Sequence, residues 1–388
     1  MAAGFALAGP PSPALLSGME DPMPPTAPID CDVHPTVPNL SVLLPYLDEL
    51  WRDTVVRRGL DELNTISYPS RNPLTARADW RDESGKAATT PQALAAQALE
   101  PFRTQLAICS CLYGAQALFS EDMGAAFARA INDWITREWL DADARLRASI
   151  VVPMQNPELA VEEIERMAAD RRFVQVLLLA GADQPLGKRH WWPIYAAAQR
   201  HGLPVGIHAG STYRHPVTPV GWPSYYTEDY VNQAPAIQTQ LTSLVAEGVF
   251  TRHPDLTVVL MESGVTWLPA YLWRLTKFWK GLRGEIPWVA DPPGSVVRER
   301  VRLTLQPFDG PPDAATVMRV MEHIGSDEIL LFSTDYPHWQ FDGLEAIPAG
   351  LDPGLAQKIM VENPLRTYRR LNETIAALPG KGREETVA

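Results

Sequence analysis

The sequence predicts an α/β protein folded as a (β/α)8 TIM barrel, and three observations carry that prediction. Short apolar runs recur eight times along 388 residues. Several are almost unbroken in Val, Ile and Leu, as expected of parallel strands buried on both faces. Segments with helical spacing separate most of them, the signature of repeated strand–helix units, and eight such units make a barrel. A doubly wound open sheet is the alternative. Against it, no glycine-rich phosphate turn follows the first run.

The runs, in order, are Ile29–His34, Gln105–Cys111, Ala148–Pro153, Phe173–Leu179, Pro204–His208, Leu256–Glu262, Val301–Gln306 and Ile329–Thr334. Helical patterns between them include Asp122–Trp139, Pro157–Ala169 and Trp192–His201. Two connections are long. Residues 35–103 separate the first two strands and hold an amphipathic helix candidate at Leu40–Arg58, and residues 211–240 follow the fifth strand. Long excursions after barrel strands build the rim of an active site. Residues 1–28, rich in Ala, Pro and Gly, read as a flexible leader or as residues translated ahead of a later start at Met19 or Met23. Residues 29–375 read as the barrel and 376–388 as a flexible tail.

Composition excludes some functions. A formal charge of -12 without a Lys/Arg cluster argues against nucleic acid and anionic membrane surfaces. No apolar run reaches the roughly 18 residues of a membrane span, and the start has no basic region of a secretory signal. Cys31, Cys109 and Cys111 sit in apolar runs. They read as buried, reduced thiols, in keeping with a cytoplasmic protein.

The chemistry collects at the strand ends. The stretch "IDCDVHP" alternates Asp30, Asp32 and His34 with apolar residues, so the three share one strand face. His208 ends the fifth strand, Glu262 the sixth and Gln306 the seventh, and Asp335 follows the eighth. In a barrel these ends converge on one bowl. Carboxylates gathered there repel one another and resist burial unless a cation joins them. Imidazole with carboxylate suits zinc, manganese or iron better than magnesium.

With "DCDVH", "IHAG" and "STDYPHW" in that order, the chain resembles the amidohydrolase superfamily. The resemblance is closest to its decarboxylase branch, which includes amino-carboxymuconate-semialdehyde and resorcylate-type decarboxylases. It covers about residues 29–373 and implies one divalent metal, zinc first and manganese second, held by Asp32, His34, His208 and Asp335. It also implies a non-oxidative decarboxylase or carbon–carbon lyase acting on an aromatic or unsaturated carboxylic acid. The alternative is a hydrolase of an amide, lactone, ester or carbon–carbon bond, acting through a metal-activated water. The fourth strand has no Lys or Glu to bridge two metals, which favours a mononuclear site. Where the branch usually ends its sixth strand in a His, this chain has "MESG". Glu262 therefore either takes over the acid/base role, alongside Asp335, or binds the metal. Arg214, Gln306, His338, Trp222 and Trp339 are candidate substrate contacts, Arg214 as a carboxylate clamp. Asp30 reads as support beneath the ligands. The expected partners are a small-molecule substrate and a second copy of the chain, as a homodimer.

Overall fold

The structure is a computed structural model that describes residues 27–63, 66, 75–311, 313–339, 346–348 and 350–377. Among these, strands β1 (Ile29–Val33), β2 (Leu106–Cys109), β3 (Leu146–Val151), β4 (Phe173–Gly181), β5 (Val205–Ser211), β6 (Val258–Met261), β7 (Val301–Thr304) and β8 (Leu330–Leu331) pair in parallel and in chain order. Each falls on a run expected from sequence. β8 returns to β1 through Cys31 N–H to Phe332 O at 2.9 Å and His34 N–H to Tyr336 O at 2.8 Å, closing the barrel. All nine residues of β4 are buried, as its continuous apolar sequence requires.

The barrel is packed below the site. The Gln175 amide donates to Ser149 Oγ at 2.7 Å, and Tyr368 O–H donates to Gln175 Oε1 at 3.3 Å. A methyl group on Gly206 would lie 2.7 Å from Met261 Sδ. The outer helices dock by local chemistry. Buried Asn132, on α2 (Glu121–Trp134), donates to Val151 O at 2.8 Å and to Glu163 Oε1 at 2.7 Å, and accepts from Val151 N–H at 2.9 Å. One amide thereby joins α2, β3 and α3 (Pro157–Met167).

The helix expected over Leu40–Arg58 is in fact two. A 3₁₀ segment spans Leu40–Tyr46, and α1 begins at Glu49 and ends at Arg58. Pro45 removes a backbone donor, and Asp48 starts a new helix by accepting from Trp51 N–H at 3.0 Å. At the other end of the chain, a helix over Arg370–Ala377 carries order two residues past the expected barrel boundary at 375. Buried Arg370 ties it below β4 through Phe173 O at 2.7 Å. The expected leader through residue 26 and the tail from 378 lie outside the described residues. All three cysteines are buried and free. Among the described residues, no helix is long and apolar enough to cross a membrane.

One core histidine makes stability depend on pH. His253 is buried at the edges of the Trp192 and Tyr195 rings, 6.1 and 6.0 Å between centroids, and its Nε2 has no partner. Burial, aided by Arg252, holds the imidazole below its usual 6.5. The unfolded chain therefore binds this proton more readily than the folded one, and stability falls as pH drops below 6.5. Thermal melts between about pH 7 and pH 5 are expected to show a shallower decline in His253→Phe than in the parent. Equal slopes would disprove the assignment.

Candidate metal centre

β1 brings Asp32 and His34 to the bowl, two residues apart on one face. His34 Nδ1 lies 2.9 Å from Ser110 O. A carbonyl only accepts, so Nδ1 is the protonated nitrogen and Nε2 points inward. That Nε2 is 2.8 Å from Asp335 Oδ1 and 3.5 Å from Asp32 Oδ1. β5 repeats the arrangement. His208 Nδ1 donates to Ala209 O at 2.6 Å, leaving Nε2 3.5 Å from Asp32 Oδ2 and 3.3 Å from Glu262 Oε2. With Nδ1 protonated on both rings, each Nε2 lone pair faces carboxylate oxygens. Such a contact needs a cation between the partners, either a proton or a metal.

The burial pattern fits a metal. Both Asp32 oxygens and His208 Nε2 are buried without a hydrogen-bond partner. Leaving such groups uncompensated costs several kcal/mol apiece in principle. One donor atom from each of Asp32, His34, His208 and Asp335 can be chosen so that all lie within 4.8 Å of one another. These are donors of the kind that suit zinc or manganese. Without a metal, burial opposes the His208 charge, but Asp32 and Glu262 outweigh it and push the imidazole up to about 10. A divalent cation would take that proton's place.

Asp30 lies one step deeper. It accepts from Thr334 N–H at 3.0 Å, Thr334 O–H at 2.6 Å and Asp32 N–H at 3.2 Å, stapling β1 to β8 under the centre. Burial raises its carboxyl to about 7 against those bonds.

Glu262 and Asp335 share a backbone peculiarity: their φ angles are 53° and 57°. Both stand in the left-handed region just past their strands, which turns the side chains into the bowl. Glu262 Oε1 accepts from Tyr230 O–H at 2.7 Å. Tyr230 lies on α5, in the chain order used here the helix Tyr226–Ala246 that follows α4 (Trp192–Arg200). Burial and the nearby Asp335 raise the Glu262 carboxyl. Burial also opposes the charge of Asp335, but His338 and His34 hold that carboxyl well below its usual range. His338 stacks on His34 at 4.7 Å, sits 3.0 Å from both Asp335 oxygens and lies 3.7 Å from Glu262 Oε1. Asp335 and Glu262 push it up to about 9 against burial.

Of the expected substrate contacts, only His338 faces the bowl. Arg214 stacks on Phe119 at 3.7 Å and donates to Leu118 O at 2.7 Å. Its guanidinium is committed to loop carbonyls, not to the cavity. Gln306 donates to Ala346 O and accepts from Phe308 N–H, both at 3.0 Å, so it ties its own turn to residue 346. Trp222 and Trp339 are exposed and line neither lobe of the bowl. The bowl instead has two lobes of about 240 and 190 Å³ that share Lys86, Leu112, Tyr113 and His338. Tyr230 and Asp229 line the larger lobe. Sequence reasoning missed Lys86 because nothing local marks it, whereas Tyr230 belongs to the aromatic-rich stretch after β5.

Gly210 forms part of the larger lobe. Its φ is +130°, and a Cβ there would lie 2.6 Å from Ile66 Cδ1. Gly210→Ala is expected to cost about 1–3 kcal/mol and to raise KM by pushing Ile66 inward. Melting and steady-state kinetics check both, and an unchanged melting temperature would refute the strain.

Eight parallel strands bring Asp32, His34, His208 and Asp335 together at one end of a barrel, a group that could hold a divalent metal ion. The chain belongs to the amidohydrolase family, whose sequence profile matches residues 29–370. It is 27% identical over 244 residues to a gamma-resorcylate decarboxylase of Rhodococcus jostii (strain RHA1), a match covering 57% of this chain and 69% of that protein. Its fold resembles an amidohydrolase of Mycobacterium avium subsp. paratuberculosis K-10, with a TM-score of 0.67, 22% identity, and coverage of 89% of this chain and 98% of that one. It also resembles a dihydroxybenzoic acid decarboxylase of Polaromonas sp. JS666 with bound manganese and 2-nitroresorcinol, with a TM-score of 0.62, 19% identity, and coverage of 90% and 99%.

Proposed function

We propose that this chain is a metal-dependent non-oxidative decarboxylase of an aromatic carboxylic acid. The observation that carries the reading is the cage: both Asp32 oxygens and His208 Nε2 are buried without a hydrogen-bond partner, and they gather with His34 and Asp335 around one point, in a chain related to gamma-resorcylate decarboxylases. Asp32, His34, His208 and Asp335 would hold one divalent ion. Zinc is one choice, and manganese is supported by the ion named in the Polaromonas structure. When bound, such an ion supplies Lewis acidity and a template for adjacent oxygen atoms.

The remaining work falls to the chain's own side chains. Tyr113, Leu112, Val37 and Tyr226 give the bowl flat and apolar walls, suited to an aromatic ring. Glu262, fixed by Tyr230, is the group placed to deliver a proton to the ring carbon that bears the carboxylate. The carbon–carboxylate bond then breaks, its electron pair restores the ring, and carbon dioxide leaves. A solvent proton recharges the acid. Glu262 thus takes the acid/base role, and His338 lies 3.7 Å from it on the β8 side. A cytoplasmic setting accords with the free buried thiols. A homodimer accords with exposed Trp273, Phe278 and Leu282 on the helix Leu268–Leu282.

The test is carbon dioxide release from hydroxybenzoates by manganese- or zinc-loaded protein, run beside lactones and amides. Release from at least one acid, with no hydrolysis, is expected. Hydrolysis alone would replace the proposal with the metal-activated-water alternative.

A further inference from the structure

We infer that Lys86 is a second anchor for the substrate, and that the acid taken by this bowl carries a second anionic group remote from the metal centre. This rests on the decarboxylase reading above. Among the described residues, Lys86 is the one Lys or Arg lining either lobe; the larger lobe also carries Glu62, Asp229 and Glu262, whereas the smaller one has no carboxylate and is walled largely by Val37, Ala87, Leu112 and Tyr113, so the second anionic group belongs in the smaller lobe. Its ammonium donates to Pro38 O at 2.8 Å and pairs with Glu62. An ammonium has three donors, so one N–H is left for a ligand.

The alternative is that Lys86 merely secures its loop, but the loop is held without the ammonium. The Asp82 carboxylate accepts from Ser84 N–H at 2.8 Å, Ser84 O–H at 2.5 Å, Lys86 N–H at 3.2 Å and Thr89 O–H at 2.9 Å. Asp82 N–H donates to Lys86 O at 2.7 Å, and Thr36 N–H to Ala88 O at 2.8 Å fastens the loop to the end of β1. The Glu62 partner is weakly held. Its side chain is 53% exposed against 22% for Lys86, and ion pairs at such a rim are worth about 0–1 kcal/mol. An anion inside the bowl, where water is scarcer, would interact with the ammonium more strongly than Glu62 does. With Arg214 turned away, Lys86 is, among the described residues, the cation left to read a second acidic substituent.

The experiment measures binding to the manganese-loaded full chain, by quenching of its tryptophan fluorescence. The probes are salicylate and salicylates bearing a further carboxylate at ring positions 3, 4 or 5. At least one carboxysalicylate is expected to bind about tenfold tighter than salicylate. Lys86→Met should erase that advantage, so that carboxysalicylates and salicylate bind the variant alike, with its metal content at the parent's level. Glu62→Gln, which does not depend on the folding of the lysine variant, should widen the advantage by freeing the ammonium. The proposal is overturned if no carboxysalicylate outbinds salicylate, if Lys86→Met keeps the advantage, or if Glu62→Gln narrows it. Absence of metal-dependent binding by any of these acids would instead overturn the decarboxylase reading, and this proposal with it.

Discussion

Stripping divalent metal from this protein is expected to lower its stability by about 4 kcal/mol, relative to protein held at a free metal concentration a thousandfold above the dissociation constant. The cause is the cage. Asp32 offers two buried oxygens and His208 one nitrogen, none with a hydrogen-bond partner. A native-state ligand at that point is bound by a folded site that the unfolded chain lacks. Melting curves with chelator, and after adding back manganese or zinc, measure the effect. Asp32→Asn is the informative control. It removes one buried charge, so its metal-free form should melt above metal-free parent protein, while its response to metal should shrink or vanish. A melting temperature indifferent to metal in the parent would rule out the centre.

Asp335→Asn should lower kcat by about three orders of magnitude, within the range typical of losing a positioned ionised group. The amide keeps the volume and leaves the Asp335 N–H to Asp32 O bond at 3.1 Å intact, so folding should survive. What disappears is the charge that faces His34 at 2.8 Å and His338 at 3.0 Å. A single neutral oxygen cannot serve both imidazoles and a metal. Circular dichroism and metal analysis accompany the kinetics. Turnover within threefold of the parent would eliminate Asp335 from the site.

The barrel and the lower half of the site were legible in the sequence for a physical reason. Strand periodicity places Asp32 and His34 on one face without knowledge of anything distant. His208, Glu262 and Asp335 stand at the ends of runs whose apolar character marks them as buried strands. The upper half was not legible. Arg214 looked like a clamp because guanidinium suits carboxylates, but the side chain's direction depends on where Leu118 and Phe119 lie, almost a hundred residues earlier in the chain. Gln306 follows a strand as Asp335 does, yet Phe308 in its own turn and Ala346, forty residues on, claim the two ends of its amide. Lys86 reaches the bowl because Asp82 folds a loop and Ala88 pins it to β1, a tertiary arrangement that no spacing announces. The break in the Leu40–Arg58 helix was written in Pro45 and Asp48, and the amphipathic pattern across it concealed both signals.

The left-handed backbone at Glu262 sets a conformational cost on the carboxylate that the site places there. Aspartate, asparagine and histidine accept that conformation far more readily than glutamate does. Asp335 therefore sits easily at φ 57°, while Glu262 at 53° does not. The turn therefore holds a less comfortable residue, and it sets a carboxylate beside the Tyr230 hydroxyl. Glu262→His is expected to relax the turn and raise the melting temperature, while removing the carboxylate that Tyr230 holds.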